Sequence, residues 1–417
     1  MPHKGGIYMN FIKNSADKNP IVDTVFSIVR KAVAAKEQYG TENVTDATLG
    51  SLYNEDGALV AMESVFKSFD EVSPKQKAGY ASGFLGNPDF RALCTEWVLE
   101  GTDVHSSVVA TPGGTGAVSL GIGEFLETGE TVLVPDIAWT SYAIMAKDKQ
   151  LGCVQYNMFD EKDNFNLESI KEQVNALKGK QNRIVIVIND PCHNPTGYSM
   201  TDSEWTLLTE FFNEVGKTTP VIILNDIAYI DYSYDLENSR KYMKHFEDIS
   251  ENVMVVVAMS CSKTLTSYGM RCGAAVICAK DAESIRQAEI VFEKSARALW
   301  SNVNNGAMHN FVNLIDNHRE EFMAEKDHYI GLMKQRSDIF ISEAQQCGLP
   351  LYPYKEGFFI TAKVDNSIRE AYHQLLMDNN IFTVQVNKGI RVAVCSLPVE
   401  KAKGLAKRMK DLLDTMK

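Results

Sequence analysis

Lys263 stands in Ser260-Cys261-Ser262-Lys263, and Arg271 follows in Gly269-Met270-Arg271-Cys272-Gly273. Upstream lie Asp226-Ile227-Ala228-Tyr229 and, earlier still, His193-Asn194-Pro195-Thr196-Gly197. A lysine can form an imine, and an aspartate can pair with a ring cation. Asparagine and tyrosine can bond a phenolate oxygen, and arginine can bind phosphate. Together, in this order, they supply every group needed to hold an aldehyde cofactor with a phosphate tail.

Thr111-Pro112-Gly113-Gly114-Thr115-Gly116-Ala117 adds a candidate phosphate loop. It follows a strand-like run and opens a helix-like one, where unpaired N–H groups and the helix dipole favour an anion. The glycines allow close backbone approach, and Thr115 adds a hydroxyl. The stretch lacks the third glycine of a dinucleotide fingerprint and the Gly-Lys-Ser/Thr of a P-loop, and by itself it could simply turn the chain.

Asp226, Asn194 and Lys263 each follow an apolar run, at the carboxyl edge where open α/β sheets bind ligands. Singly, Asp226 could cap the next helix and Lys263 could be solvated surface. Trp139, in Asp136-Ile137-Ala138-Trp139-Thr140, could stack on a planar ring or belong to the core. Arg391 interrupts the apolar run Gly389–Cys395, so it needs either an internal carboxylate or a ligand's. Arg297, in Ala296-Arg297-Ala298-Leu299-Trp300, reads in isolation as a surface residue.

These residues need a frame. Between about 105 and 280, short runs rich in Val and Ile alternate with amphipathic stretches. The runs are Ser107–Thr111, Thr131–Pro135, Val154–Met158, Arg183–Asn189, Pro220–Asn225, Met254–Met259 and Ala274–Ala279. Thr115–Glu127, Leu167–Leu177 and Asp202–Val215 read as helices between them. This alternation predicts an α/β fold with a mostly parallel sheet covered on both faces. The flanks differ. Pro20–Glu37 is helix-like, and Asp46–Gly57 is a polar loop. A long helical pattern after Ala296 runs to about Gln346. Gly357–Val364, Phe382–Val386 and Ile390–Cys395 then read as strands, and Val399–Lys417 as a basic helix. Residues 1–60 and 326–417 are therefore expected to form a small α+β domain with an N-terminal arm, and residues 61–325 a large one.

The chain has 417 residues, 45% of them hydrophobic and 23% charged, with a formal net charge of −12. This balance suits a globular enzyme and argues against nucleic acid or an anionic membrane as the main partner. The eight cysteines form no Cys-x-x-Cys pair, so neither a zinc ribbon nor a dithiol redox site is indicated, and no metal is expected. Met1-Pro2-His3-Lys4-Gly5-Gly6 is followed by no signal-peptide-like apolar stretch, and the apolar run Val253–Met259 is far too short to span a bilayer. A reduced, cytoplasmic protein is expected.

The ordered residues resemble the aspartate/aromatic branch of the class I pyridoxal-phosphate-dependent aminotransferases, over about Asp46 to Pro398. The resemblance implies the type I fold of those enzymes: a large domain with a mostly parallel mixed sheet, plus a smaller α+β domain from both chain ends. It implies that Lys263 carries pyridoxal 5′-phosphate through an imine and then moves the proton between the substrate Cα and the cofactor C4′. Asp226 would pair with the pyridine nitrogen, Tyr229 and Asn194 would bond the phenolate oxygen, and Trp139 would stack on the ring. Arg271, Ser260, Gly113, Gly114 and Thr115 would hold the phosphate, joined by Tyr80 from the other subunit of a homodimer. Arg391 would clamp the substrate α-carboxylate, and Arg297 from the other subunit would receive a side-chain carboxylate. Gly50 would lie on a segment that closes over the substrate. The implied reaction moves an amino group from aspartate or an aromatic amino acid to 2-oxoglutarate.

The sequence departs from that family in places. Gly113 replaces a frequent serine, Thr140-Ser141-Tyr142 follows Trp139 in place of Pro-Asn-His, and Val303-Asn304-Asn305 replaces a proline pair. A β-lyase or decarboxylase on the same fold uses the same electron sink. A ligand-sensing regulator would need a DNA-binding segment, and no basic cluster or helix-turn-helix pattern is visible. A nicotinamide dehydrogenase would need the missing third glycine.

Overall fold

The computed structural model describes residues 11–21 and 25–416; Met1–Gly6 and Lys417 lie outside them. Seven strands make the central sheet: β2 (His105–Thr111), β3 (Thr131–Pro135), β4 (Gly152–Tyr156), β5 (Ile184–Asn189), β6 (Val221–Asp226), β7 (Val253–Ser260) and β8 (Gly273–Ala279). Their order is β2-β8-β7-β6-β5-β3-β4. Each of the seven apolar runs is thus a strand. The sheet is parallel from β7 through β4, whereas β8 runs antiparallel to both β7 and β2.

Apart from edge strand β4, where Gln155 is exposed, the Val/Ile runs have no polar face because helices cover the sheet on both sides. Side chains alternate across a strand. In β5, Ile184, Ile186 and Ile188 enter one core, and Val185 and Val187 enter the core on the opposite face. In β6, Val221 and Ile223 share the first core, Ile222 and Leu224 the second. Helices supply the covering layers. Asp202–Gly216 begins with a reciprocal capping box between Thr201 and Glu204, which satisfies backbone N–H groups left free at a helix start.

A third core gathers Phe340, Ile360, Tyr372, Ile390, Val392 and Met409. It packs on an antiparallel sheet of β9 (Phe359–Lys363), β11 (Val384–Val386) and β12 (Gly389–Ala393), in the order β11-β12-β9. Beside it β1 (Thr45–Asp46) pairs in parallel with β10 (Ile381–Phe382). A 29-residue helix, Arg319–Cys347, joins the two regions. Its Phe322 and Met333 lie in the core under the central sheet, and its Phe340 and Ala344 in the other.

The flanking helices differ in detail from the sequence reading. The N-terminal helix is Phe26–Tyr39. The long pattern after Ala296 is interrupted near His318, separating Asn305–Asn317 from Arg319–Cys347. The terminal helix is two, Val399–Ala402 and Leu405–Asp414, because Gly404 breaks the run. Among the described residues no helix is long and apolar enough to cross a membrane.

Candidate active site

Three neighbouring strands of the central sheet end on polar residues: Asn189 on β5, Asp226 on β6 and Ser260 on β7. A cleft of about 290 Å³ opens at this edge. Gly114, Thr115, Trp139, Asn194, Asp226, Tyr229, Ser260, Lys263 and Arg271 line it, so residues spread over some 150 positions meet in one place.

The one-turn helix Cys261–Thr264 begins where β7 ends and lifts Lys263 into the cleft. The Lys263 amine donates to the carbonyl of Gly50 at 2.5 Å. Its Nζ lies 4.7 Å from the ring centre of Tyr268 and 5.6 Å from that of Tyr229. Burial pushes the ammonium down from 10.5 to about 8; Cys395 opposes this, and Arg391 and Arg271 add to it. A lysine so placed is a usable base near neutral pH.

Asp226 is 5% exposed. Burial pushes its carboxyl upward, while two donors hold the charged form: the Tyr142 hydroxyl at 2.6 Å and the Ala228 N–H at 3.1 Å. Asn189 fixes the surroundings. Its side-chain amide donates to the Asp226 carbonyl at 2.7 Å, and its side-chain oxygen accepts from the Asn194 N–H at 2.7 Å. The loop bearing Asn194 is thereby pinned to the strand bearing Asp226.

Arg391, on β12 of the small sheet, does not itself line the cleft but sits behind Asn194, which does. It donates to the Thr48 carbonyl at 2.8 Å and the Asn194 side-chain oxygen at 3.3 Å, and its guanidinium lies 4.3 Å from the Phe359 ring centre. Its buried Nε has no partner, and among the described residues the ionisable groups that favour its charge are Tyr229 and Cys395 rather than a carboxylate. A buried cation with a free N–H is costly, and a ligand carboxylate would satisfy it.

The two loops expected to bind an anion pack backbone to backbone. Arg271 donates to Ser262 Oγ at 3.0 Å, to the Tyr268 carbonyl at 2.8 Å and to the Pro112 carbonyl at 3.3 Å. Gly113 has φ 75°, and a Cβ there would lie 2.6 Å from Arg271 Nη2. A Cβ on Gly273 would lie 2.5 Å from the Met259 carbonyl and 2.6 Å from the Gly113 carbonyl carbon. Glycine in place of serine at 113 therefore fits how closely this chain packs its arginine.

Of the expected site residues, Gly50, Gly113, Tyr80, Arg297 and Arg391 do not line the cleft; Gly50 touches it through its carbonyl bond to Lys263, Gly113 packs against Arg271, and Arg391 bonds Asn194. Tyr80 is 87% exposed. Arg297 lies 4.7 Å from the Phe84 ring centre and donates to Ser301 Oγ at 2.5 Å. Sequence reasoning passed over Tyr142, Asn189, Ser262, Tyr268 and Ser51, all of which line the cleft. Tyr142 carried a signal, since it stands where the family pattern has a histidine. Asn189 ends an apolar strand beside Asp226, a position that could have marked it.

This donor set suits a phosphorylated pyridine aldehyde: an amine for the aldehyde, a buried carboxylate for the ring nitrogen, and a glycine loop with an arginine for the phosphate. The family model for aminotransferase class I and II matches residues 50–409. The crystal structure of an aminotransferase from Anaerococcus prevotii superposes with a TM-score of 0.93 at 32% identity, covering 98% of this chain and 100% of that one. The aspartate aminotransferase of Salmonella typhi is 28% identical over 264 residues, 61% of this chain and 64% of that protein. The aromatic-amino-acid aminotransferase of Pseudomonas aeruginosa is 27% identical over 200 residues, 47% of this chain and 48% of that protein. The match to these two curated relatives thus spans less than two thirds of their length. The family match covers most of the sequence, and the chain belongs to the class I and II aminotransferases, a pyridoxal-phosphate-dependent family.

Proposed function

We propose that this protein transfers an amino group between an L-amino acid, aspartate or an aromatic one, and 2-oxoglutarate, acting as a cytoplasmic homodimer with pyridoxal 5′-phosphate. The observation that carries this reading is Lys263: an amine bonded to a carbonyl rather than a carboxylate, lowered to about 8, in one cleft with buried Asp226 and with Asn194, against which Arg391 sits with its Nε unpaired.

When bound, the cofactor supplies an aldehyde that condenses with amines and a ring that accepts the electron pair left at the substrate Cα. The chain supplies the rest. Lys263 Nζ would carry the proton between Cα and C4′. The Asp226 carboxylate would keep the ring nitrogen protonated, with Tyr229 and Asn194 bonding the phenolate oxygen and Trp139 covering the ring. Arg271, Ser260 and the 113–115 loop would hold the phosphate. Arg391 would take the substrate α-carboxylate, and the Gly50 segment would shield it from water.

Two copies would complete each site. Tyr80, Phe84 and Leu299 are large apolar side chains left 87%, 40% and 55% exposed, and the Phe84 ring lies 4.7 Å from the Arg297 guanidinium. A second copy covering them would bring its own Tyr80 to the phosphate and its Arg297 to a substrate side-chain carboxylate, which favours a dicarboxylate such as glutamate or aspartate. The names of the relatives favour transamination over a β-lyase or decarboxylase. We further propose that residues 1–60 with 326–417, and 61–325, are the two domains that close on substrate.

Mixing the cofactor-loaded protein with glutamate tests this directly. The expected result is conversion of the cofactor to its pyridoxamine form with release of 2-oxoglutarate, and borohydride should fix the cofactor to Lys263. Ammonia or carbon dioxide in place of the oxo acid would refute the proposal.

A further inference from the structure

Lys326 is 0% exposed, in the helix Arg319–Cys347 that joins the two regions. Its ammonium sits 4.7 Å from the Phe322 ring centre and 5.0 Å from that of Tyr232. Its hydrogen bond goes to the carbonyl of Thr264, at 2.8 Å. Removing an ammonium from water costs several kcal/mol, and an apolar side chain of similar volume is often neutral or better for stability. Buried Asp231 attracts this ammonium and offsets part of that cost, but Arg240 already pairs with Asp231, so charge balance alone gives no full reason for a lysine here.

The bond it makes gives one. Thr264 ends the single turn that carries Lys263. Within that turn the carbonyls of Cys261 and Lys263 accept from the N–H groups of Leu265 and Thr266. The Thr264 carbonyl is held by Lys326, while the Thr264 hydroxyl donates to Asp231 Oδ2 at 2.5 Å. Asp231 lies two residues beyond Tyr229, in the turn Ile230–Tyr232, and is anchored through its other oxygen by Arg240. One buried cluster thus grips the residue next to Lys263 and the turn next to Tyr229, on the side away from the cleft.

We propose that Lys326 is a positioning residue for the transfer step. Through the Thr264 carbonyl it fixes the turn bearing Lys263, and so the place of Lys263 Nζ relative to Tyr229 and Asp226. This rests on Lys263 being the cofactor-binding amine. A displacement of the amine by about 1 Å is enough to cost up to about a hundredfold in rate.

The test compares Lys326→Met with Lys326→Gln. The glutamine keeps a donor for the carbonyl without the charge; the methionine keeps the volume without the donor. Lys326→Met leaves the buried Thr264 carbonyl without its donor and should lower the thermal midpoint of the apo-protein, so its rates are compared at equal folded protein. Its kcat should fall about tenfold or more at nearly unchanged KM, and its apo form should condense with added pyridoxal 5′-phosphate more slowly by a similar factor. Lys326→Gln should recover most of both rates. Should Lys326→Met not fold, the glutamine variant and Thr264→Val, which removes the hydroxyl bond to Asp231, carry the same two measurements, and slowed condensation by Thr264→Val is expected. Wild-type rates in Lys326→Met or Thr264→Val, losses no larger than the fall in folded protein, or a glutamine variant as slow as the methionine one would overturn the proposal. Failure of borohydride to fix the cofactor at Lys263 in the unmodified protein would instead overturn the functional reading beneath it.

Discussion

Replacing Tyr142 by phenylalanine removes one oxygen from a side chain that is 1% exposed, leaving the volume of the ring in place. That oxygen donates to Asp226 Oδ2 at 2.6 Å; Ala228 N–H donates to the other carboxylate oxygen. Burial drives the Asp226 carboxyl toward its neutral form, and the Tyr142 bond opposes this. Only the charged form can pair with a protonated ring nitrogen. A hydrogen bond to a charged group is worth about 1.5–3 kcal/mol, so Tyr142→Phe should weaken cofactor binding by about ten- to 150-fold. The sign with pH follows. A carboxyl raised further by loss of its donor takes up its proton at higher pH, so the variant's affinity should decline sooner than the wild type's as pH falls. Titrating the apo-protein with pyridoxal 5′-phosphate by absorbance at several pH values measures both effects. A dissociation constant within about threefold of wild type, below the roughly tenfold that the weakest such bond implies, would refute the reasoning, as would an equal loss at every pH.

The amine of Lys263, lowered to about 8, should make apo-protein condense with the aldehyde faster as pH rises through about 8, levelling above it; a rise centred near 10.5 by stopped-flow absorbance would mean that burial does not act on it. The same shift has a sign for stability. The unfolded lysine holds its proton more tightly, so Lys263→Met should raise the apo thermal midpoint most below about pH 8, with the gain fading toward pH 10.5. Asp226→Ala should weaken cofactor binding and cut kcat by orders of magnitude, since an unprotonated ring is a poor electron sink; near-normal turnover would contradict the assigned role. Gly113→Ala places a Cβ 2.6 Å from Arg271 Nη2 at φ 75°, so it should weaken pyridoxal 5′-phosphate far more than pyridoxal, read as the ratio of their dissociation constants. Arg297→Gln should penalise dicarboxylate substrates far more in kcat/KM than aromatic ones.

What the sequence disclosed follows the physics of each part. The seven strands were legible because a sheet covered on both faces needs uninterrupted Val and Ile, and few other segments read that way. Asp226, Asn194, Lys263 and Trp139 were legible because each follows such a run. Arg391 was legible as a cation interrupting an apolar strand. Tyr142 acts on a carboxylate 84 residues away, and no local pattern reports a contact of that range. Lys326 and Arg336, both 0% exposed, sit in a helix rich in Lys, Arg, Asp and Glu, where a buried cation looks like its solvated neighbours. The break at His318 was hidden for a related reason, because helical residues continue on both sides.

The antiparallel placement of β8 has a consequence for how the molecule comes into being. β2, which leads into the Gly113 loop, is an edge strand whose sheet neighbour is β8, and the register joins Thr111 to Gly273. A chain emerging from the ribosome thus extends more than 150 residues past β2 before that strand can be paired. Until then the side of Val108–Ala110 that faces β8 presents bare backbone, although Leu85 and Arg91 bond the Ala110 N–H and the Val108 carbonyl, and such an edge is a hazard for aggregation that chaperones commonly manage. Truncations ending before residue 273 should accordingly yield neither a closed sheet nor a seat for phosphate.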